Sequence, residues 1–376
     1  MKVELEYEKT NGKNPLHLLL DVEIPFSEKV KEQVDRLWEQ SLEDPEKRHL
    51  FDADRCVVVD KQEINGREIF VLAKVKYRYI YVWENYVLKT KESAIQGLGP
   101  FEHANPIGKL YLPLEMDKGN SGLGVMDITN RYTALGGFID ITDCTQTKLP
   151  SGDHALVPFK PNVPLESSQF FQLAGTLKKI DLWKAIDRKK LSHMVRKLDE
   201  CEQNGLPMMT PAQASVIREG GEEAGISCKT YMPIGKVNLI EVAFGRKIRQ
   251  YESWYVYRLV PEKEKTSDEV IEAFRRFRNS KSNEEKELKE LDIFPDELTE
   301  LIVRMKREPS RMSAQAVLLT MIKNLENSSI HQISSNFTQS RSTDPDLTAA
   351  VEQALKKMKQ HKPKSLNFGL DGKERI

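Results

Sequence analysis

The sequence lacks any long apolar run. The longest, around residues 16–20 and 316–322, fall well short of the roughly 20 residues that a membrane-spanning helix needs. The first eight residues alternate charged with apolar side chains and have no unbroken apolar core of the kind found in signal peptides. We therefore expect no transmembrane helix, no membrane partner and no export by a signal peptide.

Cysteine is scarce and net charge is absent. Cys56, Cys144, Cys201 and Cys228 form no C-x-x-C pair, which argues against a cysteine-rich zinc site and fits a reducing compartment. Lys plus Arg and Asp plus Glu each number 57, so any polyanion must be bound by a local patch. With 39% apolar and 30% charged residues among 376, the composition favours a cytoplasmic globular protein of one elaborated domain or two.

Hydrophobic periodicity predicts mixed α and β structure, without internal repeats. Asn65-Gly66 favours a tight hairpin turn between two β-rich runs, and Thr210, Pro211 and Gly225 mark the start and end of a helix. Helices are predicted over 28–42, 177–201, 210–224, 296–306 and 313–325. Strands are predicted over 55–60, 68–75, 235–244, 251–260 and 288–294, with 77–87 extending the hairpin sheet and 97–113 forming a loop.

These elements suggest a division of the chain. Residues 1–50 are predicted to be an N-terminal extension, 51–325 one domain with an insertion at about 144–209, and 326–376 a flexible polar and basic tail with a short helix near 347–359. From residue 354 the tail holds seven Lys or Arg against two acids.

Three carboxylates lie on one face of the 210–224 helix. Glu219, Glu222 and Glu223 are spaced i, i+3 and i+4, so they are neighbours on the helix surface and repel one another. A hard cation such as Mg²⁺ or Mn²⁺ binds several oxygen ligands and would relieve the repulsion. On the triplet alone, a solvated acidic helix face is the more ordinary interpretation.

The surrounding string changes that balance. Arg218-Glu-Gly-Gly-Glu-Glu-Ala-Gly-Ile226 resembles the core of the Nudix hydrolase signature. A chance match to its six fixed positions in a chain of this length is on the order of one in ten thousand.

The upstream half of that signature is similar to residues 136–143. Gly136-Gly137, five residues and then Asp143 match its glycine, spacing and acid, with Asp in place of the usual Glu. The gap from Asp143 to Arg218 holds 74 residues where the family has seven, so the signature is divided by an insertion. The alternative is that Thr210 takes the place of the acid. A second departure is Gly220, where the family usually has an aliphatic residue, and it predicts a locally loose helix.

The resemblance implies an α/β fold, a Nudix-type α/β/α sandwich with a mixed sheet carrying an N-terminal extension and two insertions. It also implies hydrolysis of a diphosphate linkage in a nucleoside diphosphate joined to another group, with Mg²⁺ or Mn²⁺ as cofactor. By the same resemblance, Glu219, Glu222 and Glu223 ligate the metal and one of them acts as general base. A backbone carbonyl at Gly136 or Gly137 adds a ligand. Arg218 pairs with Asp143, and Gly225 ends the helix.

Substrate contacts stay open at this point. A further base from a later loop has six candidates, which are Glu262, Glu264, Glu269, Glu272, Glu284 and Glu285. Trp83, Tyr77, Arg78 and Trp254 are candidates for base stacking or hydrogen bonding, although core or sheet positions are more frequent for large aromatic side chains. His49, His103, His154 and His193 are scattered, and we interpret them as ordinary surface or loop histidines.

Three functions are compatible with the sequence. The first is a pyrophosphatase acting on ADP-ribose or a dinucleotide-like small molecule. The second, less favoured, is an mRNA cap hydrolase, in which the basic 178–197 segment and the tail would contact RNA phosphates. The third is a non-catalytic module that binds a nucleotide or a protein. The oligomeric state is left open.

Overall fold

The computed structural model describes residues 2–47, 50–88, 95, 98–99, 101–113, 120–127, 131–145, 154–155, 170–173, 176–179, 188–204, 208–243, 246–264, 266–281, 288–294 and 312–327. Over these residues the protein is mixed α/β, with sheets that combine parallel and antiparallel strands and form no closed barrel. None of the helices in these ranges is both long and apolar enough to cross a membrane.

The strands in chain order are β1 (Lys2–Glu8), β2 (Leu16–Glu23), β3 (Asp54–Ile64), β4 (Arg67–Lys76), β5 (His103–Pro113), β6 (Asn120–Asp127), β7 (Tyr132–Thr133), β8 (Leu135–Gly136), β9 (His154–Ala155), β10 (Phe170–Leu173), β11 (Thr176–Lys179), β12 (Met208–Met209), β13 (Cys228–Lys229), β14 (Gly235–Ala243), β15 (Arg246–Pro261) and β16 (Leu288–Phe294). The helices are α1 (Glu28–Leu42), α2 (Tyr77–Val82), α3 (Ile141–Thr145), α4 (Arg188–Gln203), α5 (Pro211–Ala224), α6 (Ser267–Ser280) and α7 (Met312–Asn327). A 3₁₀ turn at Pro45–Lys47 follows α1, and a wider helical turn at Trp83–Leu88 continues α2.

The larger sheet has the strand order β1-β14-β15-β5-β6-β16. Its central pair, β15 and β5, is parallel, and the other neighbours on this path are antiparallel. The short strands β8, β7 and β13 pair with β5, β6 and β15. Through β8 this sheet carries the Gly136-Gly137 turn.

The smaller sheet has the order β2-β4-β3 and contains the predicted hairpin. Asn65 and Gly66 have φ of 53° and 73°, the left-handed conformation that a two-residue hairpin turn requires. Strands β1 and β2, both from the first 23 residues, add one strand to each sheet.

Three helices cover these sheets. Helix α5 packs against β5 and β8 of the larger sheet and against β2 of the smaller one, and Leu72, Val216 and Tyr257 share its buried core. Helix α7 covers the other face of the larger sheet, where Val317 packs with Val237. Helix α4 covers the outer face of the smaller sheet.

Several predicted elements are confirmed. Helix α1 spans 28–42 as predicted. Ser27 is its N-cap, and the Ser27 hydroxyl accepts a hydrogen bond from the Val30 N–H. Helices α5 and α7 and strands β3, β4, β14, β15 and β16 also lie where the sequence predicts them. The predicted helix over 296–306 and the tail after 327 lie outside the described residues.

Two predictions at the start of the domain were wrong. Residues 77–87 do not extend the hairpin sheet, because they form α2 and the helical turn after it, with Tyr81 packed edge-on against Trp38 of α1. A short run of buried apolar residues has no alternation of apolar and polar positions, so hydrophobic periodicity cannot distinguish a strand from a helix there. Residues 103–113 form β5, not a loop. Gly108 in this strand leaves room for Val216 and Leu259, since a Cβ there would lie 2.6 and 2.5 Å from their side chains.

The predicted helix over 177–201 was wrong in its first part. Thr176–Lys179 is the strand β11, paired with β10, and the helix begins at Arg188. Leu177 belongs to a β-hairpin and not to the helix, so only the later apolar residues of the predicted helical pattern lie in α4.

Candidate functional site

Helix α5 is fixed at both ends by its own sequence. Thr210 accepts a hydrogen bond from the Gln213 N–H, and the Gln213 side chain accepts one from the Thr210 N–H, which closes a capping box. Gly225 ends the helix with φ of 68°, and a Cβ there would lie 2.2 Å from Phe277. Only glycine fits this position without displacing Phe277.

The Gly136-Gly137 turn, at the end of β8, packs closely against strand β5. Gly136 has φ of 127°, and a Cβ there would lie 2.5 Å from the Pro106 carbonyl oxygen. A Cβ on Gly137 would lie 3.5 Å from Glu219 Oε1, so this residue faces the acidic helix. The two glycines thus bring backbone, and no side chain, to the carboxylates.

Two of the three predicted glutamates meet this turn. Glu223 Oε2 accepts a hydrogen bond of 3.4 Å from the Gly136 N–H, and Glu219 Oε1 faces Gly137. Glu222 points away from the turn, since 60% of its side chain is exposed. The structure therefore brings Glu219, Glu223, Gly136 and Gly137 together and leaves Glu222 at the rim.

Arg218 joins this group to the start of the insertion. Its Nε and Nη2 donate to Asp143 Oδ1 and Oδ2, each at 3.0 Å, which is the predicted pair. Its Nη1 lies 2.9 Å from Glu219 Oε1 and donates to Glu222 Oε2 at 2.6 Å. Thr210, the alternative to Asp143, is used as the helix cap. A planar guanidinium suits such bidentate contacts, so Arg218 ties α5 to α3, the helix that follows the glycine turn.

Burial sets the electrostatics of the site. It raises the pKa of Glu219 to about 7, with the Arg218 charge opposing the rise and the charges of Glu222 and Asp143 adding to it. Burial also raises the pKa of Asp143, against the hydrogen bonds and charge of Arg218. Burial by itself would lower the pKa of Arg218. The hydrogen bonds to Asp143 and the charges of Asp143, Glu219 and Glu222 outweigh burial and raise this pKa above its ordinary value. Burial therefore outweighs the Arg218 charge, and the ionised form of Glu219 is only partly compensated.

A hard divalent cation fits this donor set in one particular way. Among the described residues, no three His, Cys, Asp or Glu side chains are grouped closely enough to hold a metal ion by themselves. Glu219 and Glu223 offer two carboxylates, and the glycine turn offers backbone carbonyls. Mg²⁺ is usually bound by one or two carboxylates, with waters and substrate phosphates completing its shell. Glu219, Glu223 and a carbonyl of the glycine turn could therefore supply only part of the oxygen shell of such a cation.

Gly220 does not interrupt the helix, and the local looseness that its glycine predicts stays a prediction. Helix α5 is continuous through it, and Gly220 is buried. A Cβ there would make ordinary contacts of 3.6 Å with Cys228 Sγ and Leu259 Cδ1. Leu259 and Cys228 thus fill the side of the helix where an aliphatic residue would otherwise pack.

The later glutamates are placed at several different sites. Glu262 accepts a hydrogen bond of 2.6 Å from the Ser227 hydroxyl, and Glu269 closes the capping box of α6. Glu272 is exposed on α6. Glu264 has one carboxylate oxygen buried without a hydrogen-bond partner in the described part of the chain. Glu284 and Glu285 lie outside the described residues.

The four candidates for base recognition have structural contacts. Trp83 is buried against Phe101, and Tyr77 packs against Trp38. Arg78 pairs with Asp52 and Asp35 at 2.6 and 2.7 Å, and the Trp254 indole donates to Glu252. These contacts match the core and sheet interpretation.

The histidines are dispersed. His103 is buried edge-on against Phe138, so that burial lowers its pKa to about 4, and the interpretation as a loop histidine was wrong for it. His193 is exposed on α4, His154 lies in β9, and His49 is outside the described residues.

Arg55 is a neighbour of the site that the sequence did not indicate. Its guanidinium lies 3.7 Å from Asp140 Oδ2 and over the rings of Tyr77 and Phe138, the residue after Gly137. Its Nε is buried with no hydrogen-bond partner among the described residues. Because Arg55 lies on β3, far from the motif in sequence, no local pattern points to it.

The sequence was compared with known proteins. No protein-family model matches it, and no similar curated protein was found.

Proposed function

We propose that the protein is a divalent-metal-dependent hydrolase of the Nudix kind, which cleaves the diphosphate linkage of a nucleoside diphosphate joined to another group. One observation carries the proposal: Glu219 and Glu223 of α5 meet the Gly136-Gly137 turn from the other side of a long insertion. The two halves of the sequence that resembles the Nudix signature are thus adjacent in the folded chain.

The arrangement of layers supports this proposal. Helix α5 packs on one face of a mixed sheet and α7 on the other, which is compatible with a Nudix-type α/β/α sandwich. The continuity of α5 through Gly220 and the placement of the insertion helix α4 on the smaller sheet also support it, because neither departure disrupts the site.

The proposed chemistry assigns each residue a limited role. A bound Mg²⁺ or Mn²⁺ would neutralise phosphate oxygens and lower the pKa of a bound water. Glu219 and Glu223 would hold the cation, with a carbonyl of Gly136 or Gly137 as a further oxygen donor. Arg218, held by Asp143, would keep Glu219 oriented toward the turn. Glu222, at the exposed rim, is available to a substrate or to a water.

The experiment is a substrate panel. We expect release of a nucleoside monophosphate from at least one of ADP-ribose, NADH, a dinucleoside polyphosphate or capped RNA, with Mg²⁺ or Mn²⁺ present. Turnover should collapse in Glu223→Gln and persist in Glu272→Gln, a glutamate exposed on α6. Absence of turnover on every member would count against hydrolysis, and which member turns over separates a small-molecule pyrophosphatase from a cap hydrolase.

A second candidate is a nucleotide-binding module without catalysis. The observation that favours it is Arg218, whose Nη1 already contacts both Glu219 and Glu222 and neutralises part of their charge. Nucleotide binding that leaves every substrate intact and needs no divalent cation would favour this module over the hydrolase.

A further inference from the structure

Helix α4 is anchored firmly to the smaller sheet. Its apolar stripe packs on residues of β2 and β4 and consists of Leu191, Val195 and Leu198, all fully buried. Arg67 of β4, with no exposed surface, donates to Asp199 Oδ1 at 2.7 Å and to Glu202 Oε2. Apolar burial and a buried ion pair thus fix which face of α4 points outward.

The outward face is basic over residues 188–197, and the exposed Glu200 that follows lies 3.8 Å from Arg196. From 188 to 197 the helix carries five Lys or Arg and no acid. These cations and one histidine are exposed, and we call them the basic face: Arg188, Lys189, Lys190, His193, Arg196 and Lys197. Residues 189, 193 and 196 follow the i, i+4, i+7 row of a helix, and 190, 193 and 197 follow the adjacent i, i+3, i+7 row. Seven residues of helix span about 10 Å, so the two rows make a strip longer than a single phosphate group.

Helix stability does not explain this distribution. Cations destabilise the positive N-terminal end of a helix and stabilise its C-terminal end. Helix α4 has Arg188, Lys189 and Lys190 in its first turn, no acid there and no base in its last turn. One acid, Asp187, directly precedes it in the sequence. The positive charge is therefore concentrated where the helix dipole adds to it, which favours an anionic partner.

The chemistry of the strip restricts that partner. An amphipathic helix that enters a membrane needs a free apolar face, and the apolar stripe of α4 is already buried against the sheet. Protein interfaces usually centre on aromatic or aliphatic anchors, and the exposed positions of α4 are all polar or charged. A row of phosphates needs no such anchor, because Lys and Arg contacts to a backbone are electrostatic and independent of sequence.

We propose that the basic face of α4 binds the sugar-phosphate backbone of a nucleic acid. This site lies outside the Glu219–Glu223 group, and its function does not depend on hydrolysis. Because the chain has no net charge, the binding must come from such a local patch.

The test is binding of a fluorescent single-stranded RNA and of DNA of the same sequence to the full-length protein, by anisotropy, in EDTA. The variant replaces Lys189, Lys190, Arg196 and Lys197 with Gln. The matched control replaces four exposed cations elsewhere, Lys29, Lys263, Arg275 and Arg276, so the net charge changes equally. Anionic phospholipid vesicles serve as a third ligand.

We expect the wild type to bind at low salt and the α4 variant to bind about tenfold more weakly or worse, with the control within about twofold of wild type. On a single strand, the slope of log affinity against log salt should fall by about 0.7 for each phosphate that the variant no longer neutralises. Far-UV circular dichroism and the thermal midpoint confirm that both variants fold. Equal weakening in the two variants, unchanged binding in the α4 variant, or binding to vesicles without binding to either nucleic acid would overturn the proposal.

Discussion

Arg218 and Asp143 are 75 positions apart in the chain and form a bidentate ion pair, with both N–O distances at 3.0 Å. The Asp143 side chain is only 2% exposed and accepts a further hydrogen bond from the Asp140 N–H. This pair joins α5 to α3, which follows the glycine turn, and the same guanidinium contacts Glu219.

Loss of that pair should destabilise the fold. We predict that Asp143→Asn lowers the free energy of unfolding by about 1–3 kcal/mol, because Arg218 loses a buried charged partner. Asp140→Asn is the control, since the Asp140 carboxylate is partly exposed and lies 3.7 Å from Arg55. It should change stability by less than about 1 kcal/mol. Urea denaturation measures both, and equal effects would show that the Arg218 pair has no special structural role.

The C-terminal end of α5 should tolerate only glycine. Gly225→Ala places a Cβ 2.2 Å from Phe277 at a positive φ, so we expect a loss of about 1–3 kcal/mol. Gly221→Ala is the matched substitution, because Gly221 lies in the same helix with open space around it. It should raise stability by about 0.5–1 kcal/mol. Thermal or urea unfolding that ranks the two variants in the opposite order would contradict this account of the helix end.

Glu252 should make stability depend on pH. Burial raises its pKa to about 7, with hydrogen bonds from Trp254 and Asn105 opposing the rise. The folded state therefore keeps a proton that the unfolded chain releases above its ordinary pKa of 4.5. The contribution to stability is complete below pH 4.5 and is lost as the pH rises through 7.

The test is the pH dependence of urea unfolding in EDTA, from pH 4.5 to 8. Glu252→Gln, which keeps an acceptor for Trp254 and Asn105, should flatten the decline in stability over this range by on the order of 2 kcal/mol. Part of the decline should persist, because the pKa of Glu219 is raised in the same direction. Parallel curves for the two proteins would mean that Glu252 is ionised in the folded state near neutrality.

The sequence predicted elements whose boundaries are set by local chemistry. Helix α5 is one example, since Thr210, Pro211 and Gly225 act on their immediate neighbours, and the Asn65-Gly66 hairpin is another. Strand β5 was missed because the turn-forming residues of 97–113 are typical of a loop, whereas Gly108 within the strand admits side chains from α5 and β15. Such contacts are decided by tertiary packing, which no local pattern contains.

The site was also predicted only in part, because tertiary packing decides which of its side chains come together. Spacing placed Glu219, Glu222 and Glu223 near one another on the helix, but the packing of α5 decides which of them face the turn. Arg55 reaches the neighbourhood of Phe138 only because β3 passes beside the turn. Its position could not be predicted from its own strand.

The proposed hydrolase requires that Glu219, Glu223 and the glycine turn bind one divalent cation. The most direct measurement is titration of the protein with Mn²⁺, followed by the electron paramagnetic resonance signal of the free ion. We predict one site in the wild type, retention of that site in Glu222→Gln, and its loss in the double variant Glu219→Gln, Glu223→Gln. A site that survives the double variant, or a wild type that binds no Mn²⁺ even with ADP-ribose present, would contradict the account.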